Sequence, residues 1–236
     1  MKTLLFITLI LISNFLMSQK PDPIWLALEL KGGLNTPLLI NPNYFNDGNI
    51  DNDLMQTTPQ FGAAIQIHFN KKVAIHFEYS FNDIKKKFIY FNNLSDPQFM
   101  TIDQNSVLFQ IRATGQRSGF GGIGIQYTTI NSVIENGNDV SHFYTKTYLA
   151  PVVEIAGGIY HNNLFDISMS IRASYAIKDV IKDDIYLMCS YTNQSYTSRS
   201  STNPLNIQYF LNINWHIGYF RTSGCKQKSA FVLFTN

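Results

Sequence analysis

Apolar and polar residues alternate along FDISMSIRASYAIKD, residues 165–179. Successive side chains of a β-strand point to opposite faces, so this period of two predicts a strand. One face carries Phe165, Ile167, Met169, Ile171, Ala173, Tyr175 and Ile177. The other face carries Asp166, Ser168, Ser170, Arg172, Ser174 and Ala176. The pattern leaves open which face meets water, and the function depends on that choice.

Alternating segments recur along the whole chain and predict eight strands. The other seven segments are 24–32, 61–69, 73–81, 106–114, 120–128, 147–160 and 205–220. The chain is 14% aromatic, with 13 Tyr and 18 Phe, and aromatic residues favour strands. We therefore expect an all-β protein.

The connections between these strands alternate in length. Short ones cover 70–72, 115–119 and 161–164, whereas long ones cover roughly 33–60, 82–105, 129–146 and 179–204. The long connection 82–105 includes Lys85, Lys86 and Lys87, which we interpret as a solvated loop edge. Short turns at one end and long loops at the other are the signature of a membrane barrel. The predicted fold is an eight-stranded antiparallel up-and-down transmembrane β-barrel with a polar interior.

Strand register supports one shared inner face. A tight turn at 70–72 sets Ile65 opposite Phe77 and Gln66 opposite His76, so apolar meets apolar and polar meets polar. One allowed register of the next hairpin sets Arg112 opposite Gly122 and, likewise, Gln110 opposite Gly124. A large polar side chain opposite a glycine suits a narrow interior.

The polar faces carry charged residues, whereas the apolar faces are almost free of charge. Charges on a lipid-facing surface cost about 2–4 kcal/mol at the bilayer midplane, so the polar faces are expected inside. Glu154 and Arg172 come opposite or diagonal to one another on adjacent strands. The interior ion-pair candidates are Glu29, Glu78, Arg112, Glu154, Asp166 and Arg172. Eight strands leave an interior that side chains fill, which disfavours an open pore.

The first residues, MKTLLFITLILISNFLMSQK, predict an export signal. Lys2 is followed by an apolar run, and Ser18–Gln19 is a plausible cleavage point. We expect a signal peptide over 1–18, a single barrel domain over 19–236 with strands within about 24–220 and a short tail, and a location in the cell outer membrane. Cys189 and Cys225 fall on opposite sides of this topology, so we predict no disulfide between them.

Two short segments and the last strand carry a family resemblance. PVVEIAGGI and SIRASYAI are separated by a tight turn, and the last strand ends in WHIGYF. Over residues 24–220 the chain resembles the small outer-membrane β-barrel proteins of Bacteroidota, the PorT-like group. The resemblance implies a role in secretion-system assembly. A tail, RTSGCKQKSAFVLFTN, departs from the pattern, and its segment AFVLF is an alternative terminal strand.

The sequence offers no recognisable catalytic chemistry. The net charge of +2 and the lack of a basic stripe argue against nucleic acid. The five histidines show no metal-binding spacing. We expect His68 and His76 to be polar side chains that pack inside the barrel. We expect no cofactor, no metal and no enzymatic activity.

The expected partners are outer-membrane lipid and envelope or surface proteins. The latter would meet long loops such as SYTNQSYTSRSSTNP, residues 190–204, in a structural or adhesive role. Two alternatives stay open: an accessory subunit of a secretion or gliding machine, and a soluble lipocalin-like binder of an apolar ligand.

Overall fold

The structure is a computed structural model that describes most of the chain after the predicted signal peptide. It describes residues 24–42, 50–52, 56–90, 98–115, 119–162, 164–182, 201–221 and 230–233. The signal peptide, both cysteines and most of loop 190–204 lie outside the described residues, so the predictions made for them stay predictions. Among the described residues, no helix has the length and apolar character needed to cross a membrane.

Eleven strands run through the described part of the chain. They are β1 (Ile24–Ile40), β2 (Ile50–Asn52), β3 (Thr58–His68), β4 (Val73–Tyr90), β5 (Gln98–Thr114), β6 (Phe120–Glu135), β7 (Asn138–Asp139), β8 (Thr147–His161), β9 (Phe165–Tyr175), β10 (Asn203–Arg221) and β11 (Ala230–Leu233). A short 3-10 helix, Ser141–Phe143, follows β7.

Eight long strands close into a ring. Neighbours pair in the order β1, β3, β4, β5, β6, β8, β9, β10, and β10 returns to pair with β1 along its full length. Every pairing is antiparallel. The predicted eight-stranded up-and-down barrel is thus confirmed. The short strands β2, β7 and β11 attach to β4, β6 and β10.

The three short connections lie together at one end of the barrel, which we call the short-turn end. Asparagine side chains shape two of these turns. Asn70 Oδ1 accepts the backbone N–H groups of Lys72 and Val73 at 2.7 and 2.8 Å. Asn162 Oδ1 does the same for the two residues that lead into β9. Such side-chain bonds replace backbone turn bonds, and so they favour short reversals.

The strands extend further toward the opposite, long-loop end than the alternation predicts. β4 and β5 pair up to Phe88 and Gln98, so the prediction of a long loop over 82–105 is wrong for most of that range. Lys85 accordingly lies within β4 rather than in a loop. The inward residues of this stretch, such as Ile84 and Ile102, are apolar, so the pattern of polar inward and apolar outward residues ends before the strands do.

The tail after the last barrel strand contains β11. Ala230–Leu233 pairs with Gly218–Arg221, the end of β10 that continues past the pairing of Trp215 with Phe165 on β9. The segment AFVLF thus adds a strand at the rim, as in the alternative left open above, and the number of strands in the ring stays at eight.

The observed registers are those expected from the turns. Ile65 pairs with Phe77 and Gln66 with His76 in the β3–β4 hairpin. In the β5–β6 hairpin, Gln110 pairs with Gly124. A Cβ atom at Gly124 would lie 2.2 Å from the carbonyl oxygen of Phe109. Only glycine therefore lets these two strands approach so closely.

Apolar side chains fill the interior at the long-loop end. We call this group the apolar cap; it comprises Leu39, Ile84, Met100, Ile102, Ile130, Val133, Val140, Tyr144, Tyr148, Ala150, Ala176, Val180 and Ile181. Two connections fold inward to complete it. Tyr144 forms a bridge with Ile181, and the N–H of Thr145 donates to the carbonyl of Val180 at 2.9 Å. The barrel is thus apolar at this end and polar below it.

Candidate functional site

Six charged side chains from five strands meet in the middle of the barrel. The inward positions of β1, β4, β5, β8 and β9 bring them there, and each residue is at most 3% exposed. We call this group the lumen charge network: three carboxylates, Glu29, Glu78 and Glu154, and three cations, Lys31, Arg112 and Arg172. The two signs balance, so the network needs no external counter-ion.

Arg172 donates four hydrogen bonds to two carboxylates of the network. It faces Glu154 directly across the β8–β9 pair, and Nη2 donates to Glu154 Oε2 at 3.0 Å. Its Nη1 and Nη2 atoms also donate to the two oxygens of Glu78, at 2.7 and 2.5 Å. A guanidinium fork matches a carboxylate in this bidentate manner, which makes the pair both strong and directional.

Arg112 and Lys31 complete the network. Arg112 Nη1 donates to Glu29 Oε2 at 2.7 Å, and its Nη2 lies 3.3 Å from Glu154. Lys31 Nζ lies 2.8 Å from Glu154, 3.2 Å from Glu78 and 3.3 Å from Glu29. Each carboxylate therefore touches at least two cations, which offsets the cost of removing the charges from water.

Polar and aromatic side chains surround the network. Ser170 Oγ donates to Glu154 at 2.7 Å, and Gln66 donates to Glu29. His76 Nε2 lies 3.0 Å from Glu78 Oε2. The ring of Phe210 on β10 lies 4.6 Å from Lys31 Nζ and 4.8 Å from the guanidinium carbon of Arg172. Ring faces attract cations, so this aromatic contact adds to the stability of the network.

The structure places five of the six sequence candidates in this network. Glu29, Glu78, Arg112, Glu154 and Arg172 come together. Lys31 was not among the candidates, although it follows Glu29 by two residues and so shares its face. Lys31 could be assigned to the network only from the arrangement of the strands, because its partners Glu78 and Glu154 come from β4 and β8.

Asp166 lies apart from the network, at the short-turn end. Its two carboxylate oxygens lie 2.5 Å from His161 Nδ1 and 3.0 Å from His216 Nε2. We call these three residues the rim triad. Asp166 is buried and forms ion-pair contacts, but with His161 and His216, because it is one residue from the start of β9 and cannot reach the middle of the barrel.

The rim triad escaped the sequence search because its members are far apart along the chain. The histidines lie 5 residues before and 50 residues after Asp166. Strand pairing brings His161 opposite Asp166 and sets Asn214, two residues before His216, on the other side. A search for closely spaced ligands finds no such set.

Two groups of metal-ligating side chains occur among the described residues. One is the rim triad, and the other consists of Glu29, His76 and Glu78 inside the network. In each group the ligand atoms lie within 4.8 Å of one another. The second group already contacts Lys31, Arg112 and Arg172, so cations of the protein itself take the place that a metal would need.

Several solved outer-membrane proteins are similar in fold at low sequence identity. OprG from Pseudomonas aeruginosa matches with a TM-score of 0.44 and 9% identity, over 83% of this chain and 96% of that one. Ail from Yersinia pestis matches with 0.42 and 9%, over 83% and 99%. Neisserial surface protein A matches with 0.41 and 10%, over 80% and 96%. No protein-family model and no curated protein sequence matches the chain.

Proposed function

We propose that this chain is an integral outer-membrane β-barrel protein without catalytic activity. The observation that carries the proposal is the inverted polarity of the barrel wall. Outward positions hold large apolar side chains, including Leu28, Leu30, Phe61, Ile65, Phe77, Val107, Phe109, Ile111, Ile123, Ile125, Val153, Ile155, Met169, Ile171 and Leu211. Inward positions at the same level hold the lumen charge network. Lipid is the solvent that suits such a wall.

The apolar wall is too large for a soluble monomer. Soluble monomers rarely expose contiguous apolar patches above a few hundred Å² (about 300–600 Å² at most). Here the outward apolar residues recur on all eight strands of the ring. The lipocalin-like alternative is not favoured, because it needs an apolar interior at the level where Glu78 and Arg172 are buried.

Aromatic side chains at the short-turn end support a membrane boundary there. Phe69, Tyr160 and Trp215 are each between 39% and 48% exposed. The rings of Tyr160 and Phe165 stack with their centroids 5.3 Å apart. Amphipathic rings favour the level of the lipid headgroups. The hydrocarbon layer would then begin just above the short turns.

The closed interior of the barrel favours a function at the long-loop end. The lumen charge network joins β1, β4, β5, β8 and β9 across the middle, and the apolar cap closes the interior above it. A barrel closed in this way does not conduct solutes by free diffusion. We therefore assign a structural or adhesive role, with envelope or surface proteins as partners at the long loops.

Fractionation of cells that express the chain tests the proposal. We expect the protein in the outer-membrane fraction, and an unheated sample should migrate faster on a semi-native gel than a boiled one. Recovery in a soluble periplasmic or extracellular fraction would contradict it. The narrower PorT-like role, as an accessory subunit of a secretion or gliding machine, stays a prediction. Its test is co-purification with a large envelope complex in mild detergent.

A further inference from the structure

We propose that the rim triad, His161, Asp166 and His216, binds a divalent transition-metal ion, with zinc as the best match. Two imidazole nitrogens and one carboxylate oxygen are a common three-ligand set for zinc, which keeps a further position for water. This inference goes beyond the proposed function. It is tested on the folded protein in micelles, so it can fail or succeed independently of the membrane role.

The ligand atoms lie close to the spacing that a metal needs. His161 Nδ1 and His216 Nε2 contact different oxygens of Asp166, at 2.5 and 3.0 Å, and all ligand atoms lie within 4.8 Å of one another. With Zn–N distances of about 2.0 Å, ligand atoms of a tetrahedral site are about 3.3 Å apart. Small side-chain rotations therefore suffice, and each neutral imidazole would bind the metal through this nitrogen while its proton sits on the other ring nitrogen.

The backbone around the triad is held firmly. The ligands come from three consecutive strands, β8, β9 and β10. Asn162 closes the turn between β8 and β9, and the N–H of Asn162 donates to the carbonyl of Phe165 at 3.1 Å. The N–H of His216 donates to the carbonyl of Leu164 at 2.8 Å. The three ligands are thus placed before any metal arrives, which limits the ordering that binding requires.

The triad is also open to solvent on one side. The side chain of His161 is 56% exposed, whereas those of Asp166 and His216 are 11% and 13% exposed. An ion can therefore enter from this side. The buried group Glu29, His76 and Glu78 has neither this access nor a free coordination position.

The preference for a transition metal follows from the ligand types. Imidazole suits zinc, copper, nickel and cobalt, whereas calcium and magnesium prefer sites built from oxygen alone. Bound metal would link the ends of β8, β9 and β10 at the rim. Since the ion binds the folded state, it should also stabilise the barrel, by an amount that rises with the logarithm of the free zinc concentration above Kd.

Titration of the metal-free, detergent-folded full chain with zinc alone tests the inference. We expect one zinc ion per chain by calorimetry, and cobalt in place of zinc should give the visible absorption of a low-symmetry nitrogen–oxygen site. His161→Ala and His216→Ala should each weaken zinc binding by about tenfold or more. His142→Ala is the matched control, because His142 is an exposed histidine in the β7–β8 connection. It should bind zinc like the unchanged chain.

Folding is checked separately for each variant by heat-modifiable migration. His161→Ala is the decisive variant, since its exposed side chain leaves the fold least affected. If the unchanged chain binds no stoichiometric zinc, or if folded His161→Ala and His216→Ala bind it as tightly as the unchanged chain, the triad is only a hydrogen-bonded latch between strands.

Discussion

Arg172 and Glu78 form a bidentate ion pair across the full width of the barrel. Their N–O distances are 2.7 and 2.5 Å. β9 and β4, which carry them, stand four strands apart in either direction around the ring, so they lie on opposite walls. This pair links opposite walls through the lumen, whereas the contact between Arg172 and Glu154 joins the neighbouring strands β8 and β9.

Removing the guanidinium of Arg172 should strongly destabilise the barrel. Arg172→Met leaves Glu78 and Glu154 with fewer cations in a buried site, and breaking a buried pair on one side costs about 3–5 kcal/mol. We expect a decrease of this size in the free energy of unfolding, measured by urea denaturation of the protein folded in lipid vesicles.

Two companion variants separate charge from geometry. Arg172→Lys keeps the charge but loses the fork, so an intermediate loss is expected. Glu78→Gln in the Arg172→Met background removes the carboxylate that is left with Lys31 as its cation, and should recover part of the stability. Equal stability of Arg172→Met and the unchanged chain would show that the ion pair contributes little.

The same network should keep the lumen closed to ions. In planar bilayers we expect the unchanged chain to show no steady conductance, because side chains fill an eight-stranded interior. Glu78→Ala combined with Arg172→Ala removes the pair that spans the lumen, and transient openings should then appear in single-channel recordings. A steady open level in the unchanged chain would contradict the closed lumen.

A charged side chain should be unfavourable at outward positions of the wall, whereas inward positions accommodate charges in the lumen charge network. Ile171 adjoins Arg172 in sequence but points outward and is 48% exposed. Ile171→Arg should impair insertion, because arginine on the lipid face costs about 2–4 kcal/mol near the midplane. Ile177→Arg is the matched control: Ile177 is also exposed but lies beyond the end of β9 at Tyr175.

The two isoleucine variants should differ because the cost of arginine depends on its depth in the bilayer. Near the interface the cost of arginine falls to about 0–1 kcal/mol, so Ile177→Arg should fold into vesicles almost like the unchanged chain. The measurement is the folded fraction after dilution into vesicles. Equal folding of both variants would mean that Ile171 does not face lipid.

Replacing the glycine at the β5–β6 contact should destabilise the barrel. A Cβ at Gly124 would lie 2.2 Å from the carbonyl oxygen of Phe109 and 2.9 Å from Cα of Gln110, and both are backbone atoms that cannot swing away. Gly124→Ala should cost about 1–3 kcal/mol of unfolding free energy through strand displacement. A Cβ at Gly121 has nothing within 4 Å, so Gly121→Ala should be close to neutral.

The barrel could be predicted from sequence because its main determinants are local. Alternation assigns a face to each residue, and a three-residue turn fixes the register of Ile65 against Phe77, so neither step needs distant contacts. The alternation of short and long connections then indicates which ends of the strands lie together.

Contacts across the lumen have no such local signal. Glu78 and Arg172 are 94 residues apart, and neighbouring strands do not determine which inward side chains meet in the middle. For this reason the sequence did not indicate Lys31, nor that Asp166 pairs with histidines at the short-turn end. The extension of β4 to Tyr90 was missed because its inward residues change from polar to apolar at Ile84, where the pattern that indicated the strand ends.

Packing of the apolar cap should protect the connections at the long-loop end from proteolysis. Tyr144 is 1% exposed, and its hydroxyl donates to Met100 Sδ at 3.1 Å. Tyr144→Ala leaves a cavity beneath the connections 136–146 and 176–182, and truncating a packed aromatic side chain costs about 3–5 kcal/mol. Local opening should therefore be more frequent, and the segments should become better protease substrates.

Limited trypsin digestion of the folded protein measures that opening. Lys146, Lys178 and Lys182 are exposed side chains within or beside the two connections. We expect faster cleavage after these lysines in Tyr144→Ala, read from fragment masses. Tyr144→Phe keeps the ring and loses the hydroxyl that contacts Met100, so its cleavage rate should stay near that of the unchanged chain. If both variants are cut at the unchanged rate, packing of Tyr144 does not hold the connections in place.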